Sequence, residues 1–225
     1  MADIPITRLV RTRRRTLSIE VTAEGDVVIR APLRTPLNFI QHFIKEKEDW
    51  ILKTVDKTRQ KKSEIPPRLY SPGEHFLFLG HTYPLLFHNN FEKEPFFFNQ
   101  GFFLSIEHQG KAKDLFFQWY IKQAMDIFPA RTEHYSNLTG LQNRGIRITN
   151  PKTRWGSCSP SGNLNFNWRL VMAPLPVLDY VVIHEMVHLE VKNHSRKFWN
   201  KVGYFYPGYT EHRKWLRENG HRLEL

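Results

Sequence analysis

The segment that most restricts how this chain can fold is residues 180–191, Tyr-Val-Val-Ile-His-Glu-Met-Val-His-Leu-Glu-Val. As a helix it is apolar on most sides, through Tyr180, Val181, Val182, Ile183, Met186, Val187, Leu189 and Val191, and such a helix belongs inside a protein. It nevertheless carries His184, Glu185 and His188, and polar groups buried without partners cost kilocalories. A metal ion resolves the conflict. Histidines four apart lie about 40° apart around a helix axis and one turn along it, so both imidazoles can reach one zinc ion at about 2.0–2.1 Å. Glu185 can then take the proton of a water on that ion without being a ligand itself. With 11 His and 15 Glu in 225 residues, chance gives H-E-x-x-H roughly 0.03 times per chain, and the apolar setting adds to that signal.

A catalytic zinc takes three protein ligands and keeps a fourth position open. His194 stands ten residues after His184, the spacing of H-E-x-x-H-x-x-G-x-x-H sequences, where the glycine lets the chain leave the helix and turn back. Val191 occupies the glycine's place here, so Asn193, which tolerates the left-handed conformation, is expected to make the turn. His212 and Glu211 are the other candidates for the third ligand. A donor for the oxyanion of the reaction is expected among Tyr204, Tyr206, Tyr209, His212 and Arg213, which only their downstream position recommends.

Along the rest of the chain, Leu17, Ile19 and Val21 alternate with polar residues, and Val27 to Ile29 follow a Glu24-Gly25-Asp26 turn, which predicts a hairpin. Pro36 opens a helical pattern through Leu37, Ile40, Phe43, Ile44, Trp50 and Ile51 that fades into a polar run ending at Pro66-Pro67. Residues 70–108 alternate short apolar runs with turns, as strands of an antiparallel sheet do. The phenylalanines at 96, 97, 98, 102 and 103 belong to that sheet's core rather than to a base-stacking platform. A helix is expected from about Lys111, with Pro129 as a possible kink, then a strand at 146–148 and a hairpin over 154–169. The N-terminal portion, 1–110, thus reads as mostly antiparallel β with one helix and a possible linker at 57–67. The C-terminal portion, 111–225, reads as the helical catalytic part, and the two are expected to form one compact α+β unit.

Net charge is +11, with one cluster at Arg8, Arg11, Arg13, Arg14 and Arg15 and a second at Lys57, Arg59, Lys61 and Lys62. Such a surface suits nucleic acid or acidic protein, though a solvated basic face is the ordinary use of charge runs. No stretch has the roughly 18 uninterrupted apolar residues of a membrane span. The start lacks the apolar core of a secretory signal, and the single Cys158 cannot form an internal disulfide, so a cytoplasmic location is expected.

Several segments together resemble the YgjP-like metallopeptidases, relatives of the SprT and Spartan proteases. They are Lys152-Thr153-Arg154-Trp155-Gly156-Ser157-Cys158, Asn163-Leu164-Asn165-Phe166-Asn167-Trp168-Arg169-Leu170, residues 180–188, Asn193-His194-Ser195 and Phe198-Trp199. Ala31-Pro32-Leu33 and the Gly80-His81 piece extend the likeness over most of the chain. The resemblance implies a zincin-type fold, zinc on His184, His188 and His194, Glu185 as the catalytic base, and peptidase activity. SprT-like relatives act on DNA-bound proteins, which would give the basic charge a use. Two other functions stay open on the residues alone: a zinc hydrolase of some other amide or ester, and a basic nucleic-acid-binding protein whose histidines are structural. Oligomeric state and substrate are not readable.

Overall fold

The structure is a computed structural model that describes residues 6–22, 24–64, 66–89 and 94–225. Residues 1–5 of the basic start and the side chains of Lys61 and Lys62 lie outside what is described. The chain divides into two compact units, Met1–Pro67 and Arg68–Leu225. Among the described residues no helix is long and apolar enough to cross a membrane.

In the first unit, β2 (Ser18–Val21) and β3 (Val27–Pro32) form the expected hairpin, turning through Gly25 at φ +86°. A third strand, β1 (Ile6–Thr12), pairs parallel to β3. The sequence hides β1 because it is exposed along most of its length and carries no apolar alternation. Alternate residues of β3, Val27, Ile29 and Ala31, are buried against Ile40 and Ile44 of α1 (Leu37–Glu46) and Ile51 and Val55 of α2 (Glu48–Ser63). The single helix expected after Pro36 is therefore two, broken at Lys47, and residues 57–63 are the last turns of α2. Arg11 donates from Nη1 to the carbonyls of Leu33 and Thr35, at 3.1 and 2.7 Å, so one arginine of the basic cluster braces the chain between β3 and α1.

The second unit opens with a four-stranded sheet in the order β4 (His75–Phe78), β5 (His81–His88), β7 (Phe102–Ser105), β6 (Phe96–Phe98). It is antiparallel except for the β5–β7 pair, which is parallel. Its aromatic face packs on α3 (Ala112–Thr139), where Phe116 meets Phe76, Phe96 and Phe102 at ring distances of 4.1, 4.5 and 4.9 Å. The phenylalanines are a core, as their burial requires. This contact draws the strands of 70–108 into the same unit as the helices, and the boundary falls between Pro67 and Arg68, after the 57–67 stretch. Helix α3 runs on through Pro129 and ends on Gly140 in the left-handed conformation.

A second sheet, in the order β8 (Gly145–Thr149), β10 (Asn163–Asn167), β9 (Gly156–Cys158), lies beyond α3, with β8–β10 parallel and β9–β10 the expected hairpin. Helices α4 (Leu175–Val187), α5 (Arg196–Phe205) and α6 (Tyr209–Asn219) complete the unit. Two connections fix α4. Arg131 of α3 forks both carboxylate oxygens of buried Asp179, at 2.7 and 2.8 Å. The β4–β5 turn grips the chain before α4, with Leu79 N donating to Val171 O and Gly80 N to Met172 O.

Gly80 is needed twice at that turn. Its φ is +84°, and a Cβ there would lie 2.8 Å from the Cα of Pro174, which opens α4. Gly80→Ala is expected to cost about 2 kcal/mol of stability in urea titration. A cost well under that would mean that the turn does not bear on α4.

Candidate metal centre

Helix α4 is buried on nearly every side, from Val177 through Val187, because its residues are apolar all round and it lies among α3, α5, α6 and β9. His184 and Glu185 sit in its last turn and His188 caps it. The chain then turns through residues 188–190 and returns along Val191 to His194. Among the described residues, neither Val191 nor Asn193 has a positive φ. The left-handed turn expected at Asn193 is thus absent, and that residue instead accepts the Ser195 N–H on its side chain at 3.3 Å. Val191 is buried, and its carbonyl accepts a hydrogen bond from His188 Nδ1 at 2.9 Å. That bond places the proton on Nδ1 and leaves Nε2 bare. Lys201 of α5 pairs with Glu190 and closes the loop at its base.

The three imidazoles converge. His194 Nε2 lies 3.0 Å from His184 Nε2 and 3.2 Å from His188 Nε2. Three nitrogens at about 2.0–2.1 Å from one tetrahedral ion stand about 3.3 Å apart, so these separations are close to those of a ligand set. Burial, and after it the neighbouring imidazoles and Arg213, push the His184 pKa down to about 3, and burial lowers that of His188 as well. Both are neutral near pH 7, the form that binds metal. Together these groups can hold a divalent ion through three nitrogens.

The support beneath them is aromatic. Phe198, fully buried on α5, touches all three imidazoles, with ring distances of 4.8 Å to His184, 4.4 Å to His188 and 4.8 Å to His194. Trp199 stacks on His194 and on Tyr209 of α6. Glu185 is 5% exposed, and burial, opposed by the charge of Arg154, raises its carboxyl to about 8. It lies against β9, where a Cβ on Gly156 would come 2.7 Å from both its Cγ and Oε1. Gly156 is therefore present for close approach and not to turn the chain, and the sequence reading gave it no such part.

His212 and Glu211 do not join the group: His212 lies on Tyr206, and Glu211 is exposed on the first turn of α6. Of the donors considered by position, Tyr204 is 81% exposed and Tyr206 donates to Pro176 O at 2.9 Å. Arg213 alone of the five lines the cavity that contains His184 and Glu185. Cys158 is half-buried against the core.

Three imidazoles beside a buried carboxylate are the donor set of a metal-dependent hydrolase. Residues 15–219 match the family model described as the YgjP-like metallopeptidase domain, and the chain belongs to that family. It is a metal-dependent peptidase, and its substrate is protein or peptide. Among solved structures, the chain is similar to the metallopeptidase zymogen of Pyrococcus abyssi abylysin at 23% identity and a TM-score of 0.38, over 41% of this chain and 94% of that one. It is also similar to the zymogen of Methanocaldococcus jannaschii jannalysin at 20% identity and a TM-score of 0.37, over 41% and 95%. Comparison with curated proteins yields no match.

Gly156→Ala is expected to displace the Glu185 carboxylate, since the added Cβ would meet its Cγ and Oε1 and no imidazole is among its nearest atoms. It is expected to lower kcat/KM for peptides roughly 10- to 100-fold with the metal content unchanged. Unaltered hydrolysis would show that the placing of this carboxylate is not critical.

Proposed function

We propose that the metal is zinc, that His184, His188 and His194 hold it, and that Glu185 is the general base of peptide-bond hydrolysis. The observation that carries this reading is the convergence of the three Nε2 atoms at 3.0 and 3.2 Å in the same site as the buried Glu185. A zinc ion bound there supplies a Lewis acid for the scissile carbonyl and lowers the pKa of water toward about 7. The protein does the rest. Glu185 accepts the proton of the attacking water and passes it to the departing amine. Its apolar surroundings favour the protonated form, which suits the second of these transfers. The hydrogen bond from His188 to Val191 and the Phe198 ring keep the imidazoles in one orientation.

Strand β9 is one of the two outer strands of its sheet and borders Glu185 at Gly156. An extended substrate can add to its free edge by backbone hydrogen bonds, which brings a peptide bond past the carboxylate. A cytoplasmic place of action agrees with the single cysteine.

Metal content by mass spectrometry is expected to be about one zinc per wild-type chain and much less in His184→Ala, His188→Ala and His194→Ala. Glu185→Gln is expected to keep its zinc and lose about 10²- to 10⁴-fold in peptide hydrolysis. Retention of zinc by His194→Ala would remove that residue from the ligand set, and a fully active Glu185→Gln would remove the base.

A further inference from the structure

The cavity that contains His184 and Glu185 measures about 340 Å³, and Arg154, Arg213 and Arg217 also line it. These arginines come from two places in the chain. Arg213 and Arg217 are four apart on α6 and so share one face of it. Arg154 is brought to them by its neighbour Trp155, whose ring sits so close to Gly220, just past the end of α6, that a Cβ there would be 2.7 Å away. All three are exposed. Among the described residues that line the cavity, Glu185 is the one carboxylate.

The N–H groups of Arg154 and Arg213 are the ones open to a ligand, whereas Arg217 has partners of its own. Arg154 and Arg213 have no carboxylate within ion-pair distance among the described residues, and Arg217 lies 3.9 Å from Glu218. Arg213 rests on Trp199, 4.4 Å from the ring centroid. Such a contact uses the face of a guanidinium and leaves free the edge that forks a carboxylate. The remaining wall, with Trp155, Tyr180, Val181 and Leu216, is apolar and suited to a methylene stem.

We propose that this arginine wall is a carboxylate-binding subsite, and that the preferred substrates are peptides with an acidic group close to the scissile bond. The group is an Asp or Glu side chain or a free C-terminal carboxylate. The inference rests on the peptidase reading and adds the substrate class to it. A polynucleotide fits less well, because phosphates recur along a backbone and call for a basic strip, whereas these arginines are gathered at one cavity.

The test uses short alanine-based peptides in which one Glu, or one Gln in its place, is walked along the chain, each with a free and an amidated C-terminus. Binding to zinc-loaded Glu185→Gln protein is measured by titration calorimetry, and hydrolysis by the zinc-loaded wild type as kcat/KM. Either a Glu/Gln pair or a free-acid/amide pair is expected to differ at least about tenfold in binding. Arg154→Gln and Arg213→Gln should each shrink that ratio at least about threefold, and Arg213→Glu should turn the preference toward a Lys peptide. A preference that survives amidation assigns the subsite to a side chain, and one that vanishes assigns it to the C-terminus.

Equal binding of acidic and neutral peptides overturns the proposal. So do arginine variants that weaken both kinds alike, and so does a short oligonucleotide that binds at these arginines where acidic peptides do not. If no peptide is hydrolysed, the peptidase reading fails, while the binding ratios still decide whether the wall takes a carboxylate.

Discussion

Helix α4 is enclosed by protein on nearly every side, yet two imidazoles and a carboxylate sit at its C-terminal end. Burial makes each of these groups expensive in its charged form, which drives the histidines toward neutrality and the glutamate toward protonation. The surrounding elements answer this one constraint. Arg131 neutralises Asp179 on the far side of the helix, β9 comes close enough at Gly156 to shape the space around Glu185, and α5 lays Phe198 beneath the imidazoles. The aromatic core of β4–β7 and α3 acts at one remove, through the turn at Gly80 that grips the chain entering α4.

The sequence shows the centre of this arrangement better than its edges. A buried helix with His184, Glu185 and His188 is visible because periodicity and residue chemistry conflict within a dozen residues. His194 is visible by spacing alone, but the way the chain reaches it is not. The expected left-handed Asn193 rested on a local preference, whereas the actual turn is made by ordinary backbone closed by the Val191 carbonyl. Contacts between distant segments leave no local mark. Gly156 against Glu185 and Phe198 beneath His184 and His188 both join parts of the chain that no pattern connects. Phe198-Trp199 stood out only as part of a family likeness, without a stated use.

The fold follows the same rule. The hairpins β2–β3 and β9–β10 were expected where they occur, because their signals lie within a few residues, whereas the one helix expected after Pro36 is two and takes in most of the expected linker. The three parallel pairings, β1–β3, β5–β7 and β8–β10, were not, since a parallel neighbour is set by tertiary packing rather than by a turn. Basic runs were the least informative. Arg11 is tied to carbonyls between β3 and α1, while Arg154 and Arg213, outside any run, lie beside the carboxylate and the imidazoles.

Two of the three imidazoles ride on or at the end of α4, while His194 sits on an exposed stretch between two helices. An ion held by such a set leaves by losing first the ligand whose backbone opens most easily. Its residence time would then depend on the short segment that carries His194, beside the Lys201–Glu190 pair, more than on the buried helix. A change at that pair would alter how fast the ion exchanges while leaving the equilibrium geometry of the centre as it is.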